Sequence, residues 1–421
     1  MSTLAKYQTY PEYKDSGVEW LGGIPSDWEL KKLKYLSRIK TGDKDTVNAV
    51  EDGIYPFFVR SPHIERINSY TFDCEAVLTA GDGAGVGKIY HYVNGKFGCH
   101  QRVYALTNFA YVNGRFIYYY LLASFYKVAL DGNAKSTVDS LRLPQFLNFE
   151  ITFPDILIQT KILAFLDYET AKIDQLIEKQ QKLIELLKEK RQAVISHAVT
   201  KGLDPNVKMK DSGVEWLGEV PEHWKIKPFK RFFKIRKRIA GTLGYDILSI
   251  TQRGIKIKDI ESGDGQLSMD YSKYQIVNEG DFAMNHMDLL TGFVDLSPYL
   301  GVTSPDYRVF TLEDSLSEPQ YYLYLLQMCY INKIFYPLGQ GAANIGRWRL
   351  PTEAFNEFNA PVPPSAEQNS ISIYIKQNLS LYSSLVEKAE LQINLLKERR
   401  TALISAAVTG KIDVREWQAP N

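Results

Sequence analysis

An internally duplicated α+β fold, with two globular α+β domains separated by two long helices that form an antiparallel coiled coil, is what three features of this chain predict. The segment KDSGVEWLG stands at Lys14–Gly22 and again at Lys210–Gly218, each copy running on to a proline and a second tryptophan, Pro25 and Trp28 or Pro221 and Trp224. LLKEKRQAVISHAVT (Leu186 to Thr200) returns as LLKERRTALISAAVT (Leu395 to Thr409). Apolar residues recur at heptad spacing ahead of and through both of these later segments. Marks repeated in one order over a period of about two hundred residues mean two copies of a whole module, far longer than a solenoid unit.

The offset between copies grows along the module. It is 196 from Lys14 to Lys210, 204 from Phe116 to Gln320, and 209 from Leu186 to Leu395. Insertions therefore collect between the tryptophan element and the helix, while the two ends stay nearly identical. Such a chain makes one contact twice and is free to read two different things.

In chain order, each tryptophan element leads into a basic run, KKLKYLSRIK (Lys31 to Lys40) and KIKPFKRFFKIRKR (Lys225 to Arg238). Aromatic and apolar residues interleave with the charges, which suits either a strand with one solvated lysine-rich face or a phosphate-facing surface. Short β-rich runs follow, such as AVLTA, GKIYHYV and RVYALT in the first copy and YDILSI, GFVDL and YRVFTL in the second, bounded by glycine and asparagine turns. Then comes a tyrosine-rich helix within Phe116 to Leu130, with Tyr118, Tyr119 and Tyr120 read as a buried aromatic stripe. Leu166, Ile173, Gln180, Leu187 and Val194 fall seven apart, as do Ile375, Tyr382, Ala389, Leu396 and Leu403. This is coiled-coil spacing. From Gln159 to about Ala198 and from Gln368 to about Ala407, each helix runs about 60 Å at ~1.5 Å per residue. Two independent helices that dock elsewhere are the alternative arrangement. The domains so delimited are 1–155, with the first tryptophan element, and 204–364, with the second; the helices occupy 156–203 and 365–413.

Composition excludes several classes. With 45% hydrophobic and 24% charged residues the chain is an ordinary globular protein. The first residues, MSTLAKYQTYPEYK, lack an apolar h-region, and Phe116 to Leu130 is short and broken by Lys127, so neither secretion nor a membrane span is expected. Cys74, Cys99 and Cys329 are widely separated, which fits a reducing cytoplasm and no metal cage. The net charge of +1 is low for a free-standing DNA-binding protein.

Catalytic motifs fail. GDGAGVGK (Gly81 to Lys88) has Asp82 where a phosphate-binding loop needs its first glycine, and Ile89 where it needs Ser or Thr. The duplicate, MDLLTG at Met287 to Gly292, keeps only the final glycine. A glycine loop that lets backbone approach a ligand closely remains open. GxSxG, HExxH and the adenine-methyltransferase Asn-Pro-Pro-aromatic tetrapeptide are missing, and His63, His91, His100 and His286 have no ligand spacing. No cofactor, no metal and no catalytic residue is expected.

KDSGVEWLGxxPxxW, a variable region ending in a Tyr-rich helix, and a Pro/Gln start into LLKExRxxxISxAVT, all repeated across essentially the whole chain, resemble the specificity subunit of type I restriction-modification systems. The resemblance implies two target recognition domains, one per half of a bipartite double-stranded DNA target, with helices that set the spacer. It implies partners as well, two methyltransferase subunits and, for cleavage, translocase-nuclease subunits. One departure is visible at the helix start, where the family pattern resembles Pro-Pro-Leu-x-Glu-Gln. PPSAEQ (Pro363 to Gln368) is close, whereas PDILIQ has Asp155 and Ile158 in place of Pro and Glu, which is expected to weaken capping in the first copy.

Base reading needs side chains that reach the major groove, Arg to guanine and Asn or Gln to adenine. Polar loop residues where the copies differ supply the candidates. They are Arg60, His63, Lys88, Lys135, Ser136 and Arg142 in the first domain, and Gln252, Arg253, Asn285, His286, Asn344, Arg347 and Arg349 in the second. Arg102 and Arg308 occupy matching RV-aromatic positions and are assigned a shared structural role. Trp20, Trp28, Trp216 and Trp224 are the same in both copies, so they suit packing of each domain onto the helices or a share in docking a methyltransferase. Lys188, Arg191, Lys397 and Arg400, on the outward helix faces, are the stronger docking candidates. A two-headed protein-interaction scaffold without sequence-specific DNA binding is the alternative reading, and a recognition subunit with a missing or inactive partner is a third.

Overall fold

The computed structural model describes residues 7–83, 85–129, 141–259, 271–342 and 347–419. The chain divides into two compact units, one of 1–182 with 389–421, the other of 183–388. Each contains a domain and parts of both long helices.

In the first unit, six strands lie in the order Arg38–Thr41, Val103–Thr107, Phe72–Ala80, Tyr90–Cys99, Tyr55–Phe58 and Glu65–Ile67. The long hairpin of Phe72–Ala80 with Tyr90–Cys99 is antiparallel, and Phe57 and Phe58 pair in parallel with Gly98 and Cys99. The second unit repeats the order with Phe233–Arg236, Arg308–Leu312, Phe282–Met284 and Val294–Leu296. Its hairpin is interrupted. Gln275–Val277 pairs with Gly301–Thr303 as a separate ladder, and the break falls at Gly280, with φ +83°, and at Pro298, which has no N–H to give a ladder. The parallel contact survives as a bridge between Ile247 and Val302.

Helices Gly114–Ser124 and Pro319–Ile331 pack on these sheets with Tyr119, Tyr120, Tyr321 and Tyr322 buried and Tyr118 half-buried. The two long helices run Ile156–Lys201 and Ser365–Val408, about 69 and 66 Å at ~1.5 Å per residue. In the first unit they lie antiparallel, since Asp174 meets Arg400 while Lys161 reaches the carbonyl of Arg415 beyond the second helix. Every heptad position is at least half-buried, and Leu166, Ile173, Ile375, Ala389 and Leu403 are fully so, whereas Leu176, Leu183, Leu381 and Leu391, off the seam, are exposed. The first helix start, where the departure from the family pattern is expected to weaken capping, carries a cap of its own. Asp155 Oδ1 accepts from Ile158 N at 2.9 Å, so an aspartate cap replaces the proline pattern. Gln159 and Gln368 act alike in the two copies. Each accepts from a backbone N–H ahead of the tyrosine helix, Asn113 or Glu318, and donates to the carbonyl of Pro154 or Pro363.

Each tryptophan element is a small hairpin, Tyr13–Asp15 with Gly23–Pro25 and Met209–Asp211 with Glu219–Pro221. The first docks on the end of the second long helix and the second on the end of the first. Trp28 packs on Gly410 and Trp224 on Gly202. Lys411 Nζ donates to the carbonyls of Leu21 and Gly23, and Lys201 Nζ to those of Leu217 and Glu219. The two contacts are the same although the order Lys201-Gly202 is reversed in Gly410-Lys411.

Candidate nucleic-acid interface

Two loops in each unit occupy equivalent places. One joins the short hairpin strands, 59–64 in the first unit and Gln252–Arg253 in the second; the other joins the long hairpin strands, 81–89 and 285–293. The equivalence is fixed by hydrogen bonds to the segment after the tyrosine helix, Leu141 N to Gly81 O and Leu350 N to His286 O, each 2.9 Å. The base-reading candidates among the described residues gather on these loops and on that returning segment.

In the first unit Arg60, His63, Lys88 and Arg142 are exposed. Arg60 donates to Asp82 Oδ1 at 2.7 Å and Arg102 to Asp82 Oδ2 at 3.1 Å. Arg142 opens the short helix Leu143–Leu147, one residue after the Leu141 contact. Lys135 and Ser136 lie outside the described residues. A recess of about 470 Å³, lined by Arg60, Ser61, Asp82 and Gly83 among others, separates the two loops. The glycine loop is tight because a Cβ on Gly85 would stand 2.9 Å from Arg60 O. Its glycines bring it against the neighbouring loop, and Asp82 points to arginines.

In the second unit Gln252 and Arg253 form the two-residue turn of the short hairpin and are exposed, as is Arg349. Asn285 is half-buried; its Oδ1 accepts from Met287 N and its carbonyl from Tyr330 Oη. Burial, reinforced by Arg308 and Arg349, pulls the His286 imidazole down to about 3, so it is neutral at pH 7. Its Nδ1 is buried without a hydrogen-bond partner among the described residues. Asn344 lies outside the described residues, and Arg347 is described only as backbone in the strand Arg347–Arg349.

Arg102 and Arg308 do not share a role, which corrects the reading from their matching sequence. Arg102 is 59% exposed at its side chain and paired with Asp82. Arg308 is 3% exposed, donates to Leu350 O at 3.0 Å and stacks 4.6 Å from the Phe355 ring centroid. The cause is the neighbour, since Met287 stands in the second loop where Asp82 stands in the first. Sequence reasoning did not bring Arg102 and Asp82 together with Arg60 at these loops. The one available signal was an acidic residue inside a glycine loop otherwise free of charge up to Lys88.

Part of the basic runs, mostly the second, is neutralised locally. Lys31 pairs with Glu29, Lys230 with Glu357, Arg236 with Glu313, and Arg238 with the buried Asp281. Trp28 and Trp224 are fully buried, and Trp20 and Trp216 stack on Phe149 and Phe358. Trp216 also lines an apolar recess of about 800 Å³ with Leu338 and Ala354, whereas Lys127 covers Trp20 at 5.1 Å. On the helices, Lys188, Arg191 and Lys397 are exposed. Arg400 does not face outward as expected; it is half-buried and bonded to Asp174 at 2.9 Å. No helix among the described residues is long and apolar enough to cross a membrane.

Residues 25–186 match the family model described as the type I restriction modification DNA specificity domain. The chain is 24% identical over 429 residues to the type I restriction enzyme EcoDI specificity subunit of Escherichia coli, covering 95% of this chain and 92% of the relative. It is 22% identical over 436 residues to the MjaVIII specificity subunit of Methanocaldococcus jannaschii, covering 96% and 97%. A chain from a solved structure concerned with complex assembly and conformational transition of the type I R-M system superposes with a TM-score of 0.64 at 12% identity, covering 92% of this chain and 99% of that one.

Proposed function

As a member of the type I restriction-modification specificity-subunit family, this chain is, we propose, the part of its complex that reads a bipartite DNA target, one half-site per unit. One observation carries the reading. Both units share a strand order and a docked tryptophan element, yet differ in kind at the same two loops, with an arginine pair on a carboxylate in one and an amide, a neutral histidine and a withdrawn arginine in the other. Shared framework with divergent loops suits one task performed on two sequences, because phosphate contacts fix register while base-edge contacts specify.

The chain acts without catalysis of its own, in the cytoplasm, with double-stranded DNA and two methyltransferase subunits as partners and translocase-nuclease subunits for cleavage. Lys188, Arg191 and Lys397 are the helix residues offered to those subunits, and the helices fix the distance between half-sites. Near-neutral net charge is compatible with this, because partner subunits supply cationic surface along the phosphates.

Expression with a methyltransferase partner in an unmethylated host, followed by sequencing of modified adenines, tests the reading. A split motif that needs both proteins supports it. A stable complex that methylates no such motif favours the protein-interaction scaffold. Inserting a helical turn of about four residues, ~6 Å, near Glu185 and a matching turn in the second helix should lengthen the spacer by one or two base pairs at ~3.4 Å each. An unchanged spacer would remove the helices' role as a ruler.

A further inference from the structure

We propose that Asp82 is a positioning residue that clamps Arg60 and Arg102 into a paired guanidinium reader, so that the half-site of the first unit contains a G·C pair at the position facing it. The inference rests on the DNA-recognition reading above and adds to it a base identity and a residue that acts through others.

Both carboxylate oxygens are used, one by each arginine, at 2.7 and 3.1 Å. The carboxylate lies beneath, 23% exposed, while the guanidinium side chains are 39% and 59% exposed. Each therefore keeps N–H groups turned to solvent. Two cations on one anion leave net positive charge, which a polyanion attracts. The arginine main chains are held as well. Arg102 N donates to Nδ1 of the buried His100 at 3.0 Å, and Arg102 O accepts from Gly81 N at 2.9 Å. His91 Nε2 lies 3.1 Å from Ser61 O and fixes the chain just after Arg60.

A guanidinium matches guanine O6 and N7 bidentately, and its fork geometry is the reason arginine serves there better than lysine. An arginine already held in one rotamer loses less freedom on docking. In the second unit the pair is impossible, because Met287 replaces the carboxylate and Arg308 is turned into the core. The clamped pair thus acts on one half-site.

Sequencing of modified bases after co-expression of the full chain with its methyltransferase partner decides the matter. Asp82→Asn and Arg102→Gln are each compared with the parent chain. The parent should yield a split motif with a G·C pair in one half-site. Both variants should admit other bases at that position alone, with discrimination falling on the order of tenfold to a hundredfold, while the other half-site and the spacer stay unchanged. Methylation that drops evenly with the motif intact, or a half-site that stays strict in Arg102→Gln, overturns the proposal and leaves the bipartite reading standing. A parent chain that gives no split motif sinks the reading and this inference with it. Should Asp82→Asn fail to fold, Arg102→Gln still decides, because Arg102 sits at the surface.

Discussion

The two units solve the same docking problem with different chemistry at one tryptophan. In the second, Trp224 Nε1 donates to Glu367 Oε2 at 2.9 Å, and His223 Nε2 meets Oε1 of the same carboxylate at 2.6 Å. In the first, Ile158 stands where Glu367 would be and Asp27 where His223 would be, and Trp28 Nε1 has no hydrogen-bond partner among the described residues. Both rings are nonetheless fully buried, and both lysine-to-carbonyl contacts are kept. The difference teaches that burial of the indole and the lysine bonds carry the attachment, with the carboxylate an addition that one copy lacks.

The largest effect should come from the rings themselves. Trp28→Ala and Trp224→Ala should each cost about 3–5 kcal/mol in chemical denaturation followed by circular dichroism. Phenylalanine separates the copies, since Trp224→Phe should cost about 1–2 kcal/mol more than Trp28→Phe, in the lower part of the range for charged hydrogen bonds because Glu367 is 40% exposed. Equal costs would break the comparison.

Next is a pH effect to which the second unit's loop contributes most, since burial lowers His91 and His100 of the first unit in the same direction but moves His286 to about 3. His286 is held neutral, with its folded value near 3 against 6.5 ordinarily. Below pH 6.5 the unfolded chain takes up a proton that the folded loop refuses, so stability is lost as pH falls from about 6.5 towards 3. At pH 5 the loss is on the order of 2 kcal/mol relative to neutral pH. His286→Gln should flatten that slope in denaturation midpoints measured from pH 7 to pH 4, and an unaltered slope would show the imidazole to be solvated.

The smallest effect belongs to the helix pair in the first unit. Arg400→Ala removes a partly exposed bond to Asp174, and a cost of about 0.2–1 kcal/mol is expected. A loss well above that in thermal unfolding would mean that the pair does more than a surface ion pair can.

Periodicity made the helices legible, since the residues spaced by sevens are the ones that face inward. The duplication made two copies of one module legible, and the β-rich runs fell largely on strands, whereas the strand order came only from the structure. Three-dimensional neighbours were not legible. Tyr13 bonds Gly410 across 397 positions, and no local pattern announces that the first tryptophan element docks beside the last helix turn. Arg102 and Arg308 sit in the same local sequence and go opposite ways because Asp82 recruits one while Leu350 O and Phe355 enclose the other. Asp155 looked like a lost proline and is a cap. The split of the second long hairpin follows from Gly280 and Pro298, two breakers whose joint effect shows only once the strands are paired.

The central claim is that each unit reads its own half-site through loops carried on a common framework. Replacing 38–149 with the chain's own 234–358 gives a protein with the second unit's loops in both places. Co-expressed with a methyltransferase subunit of the proposed complex, it should direct methylation to a target in which the second half-site occurs twice, the first having vanished and the spacer being retained. A motif that still contains the original first half-site would contradict the account.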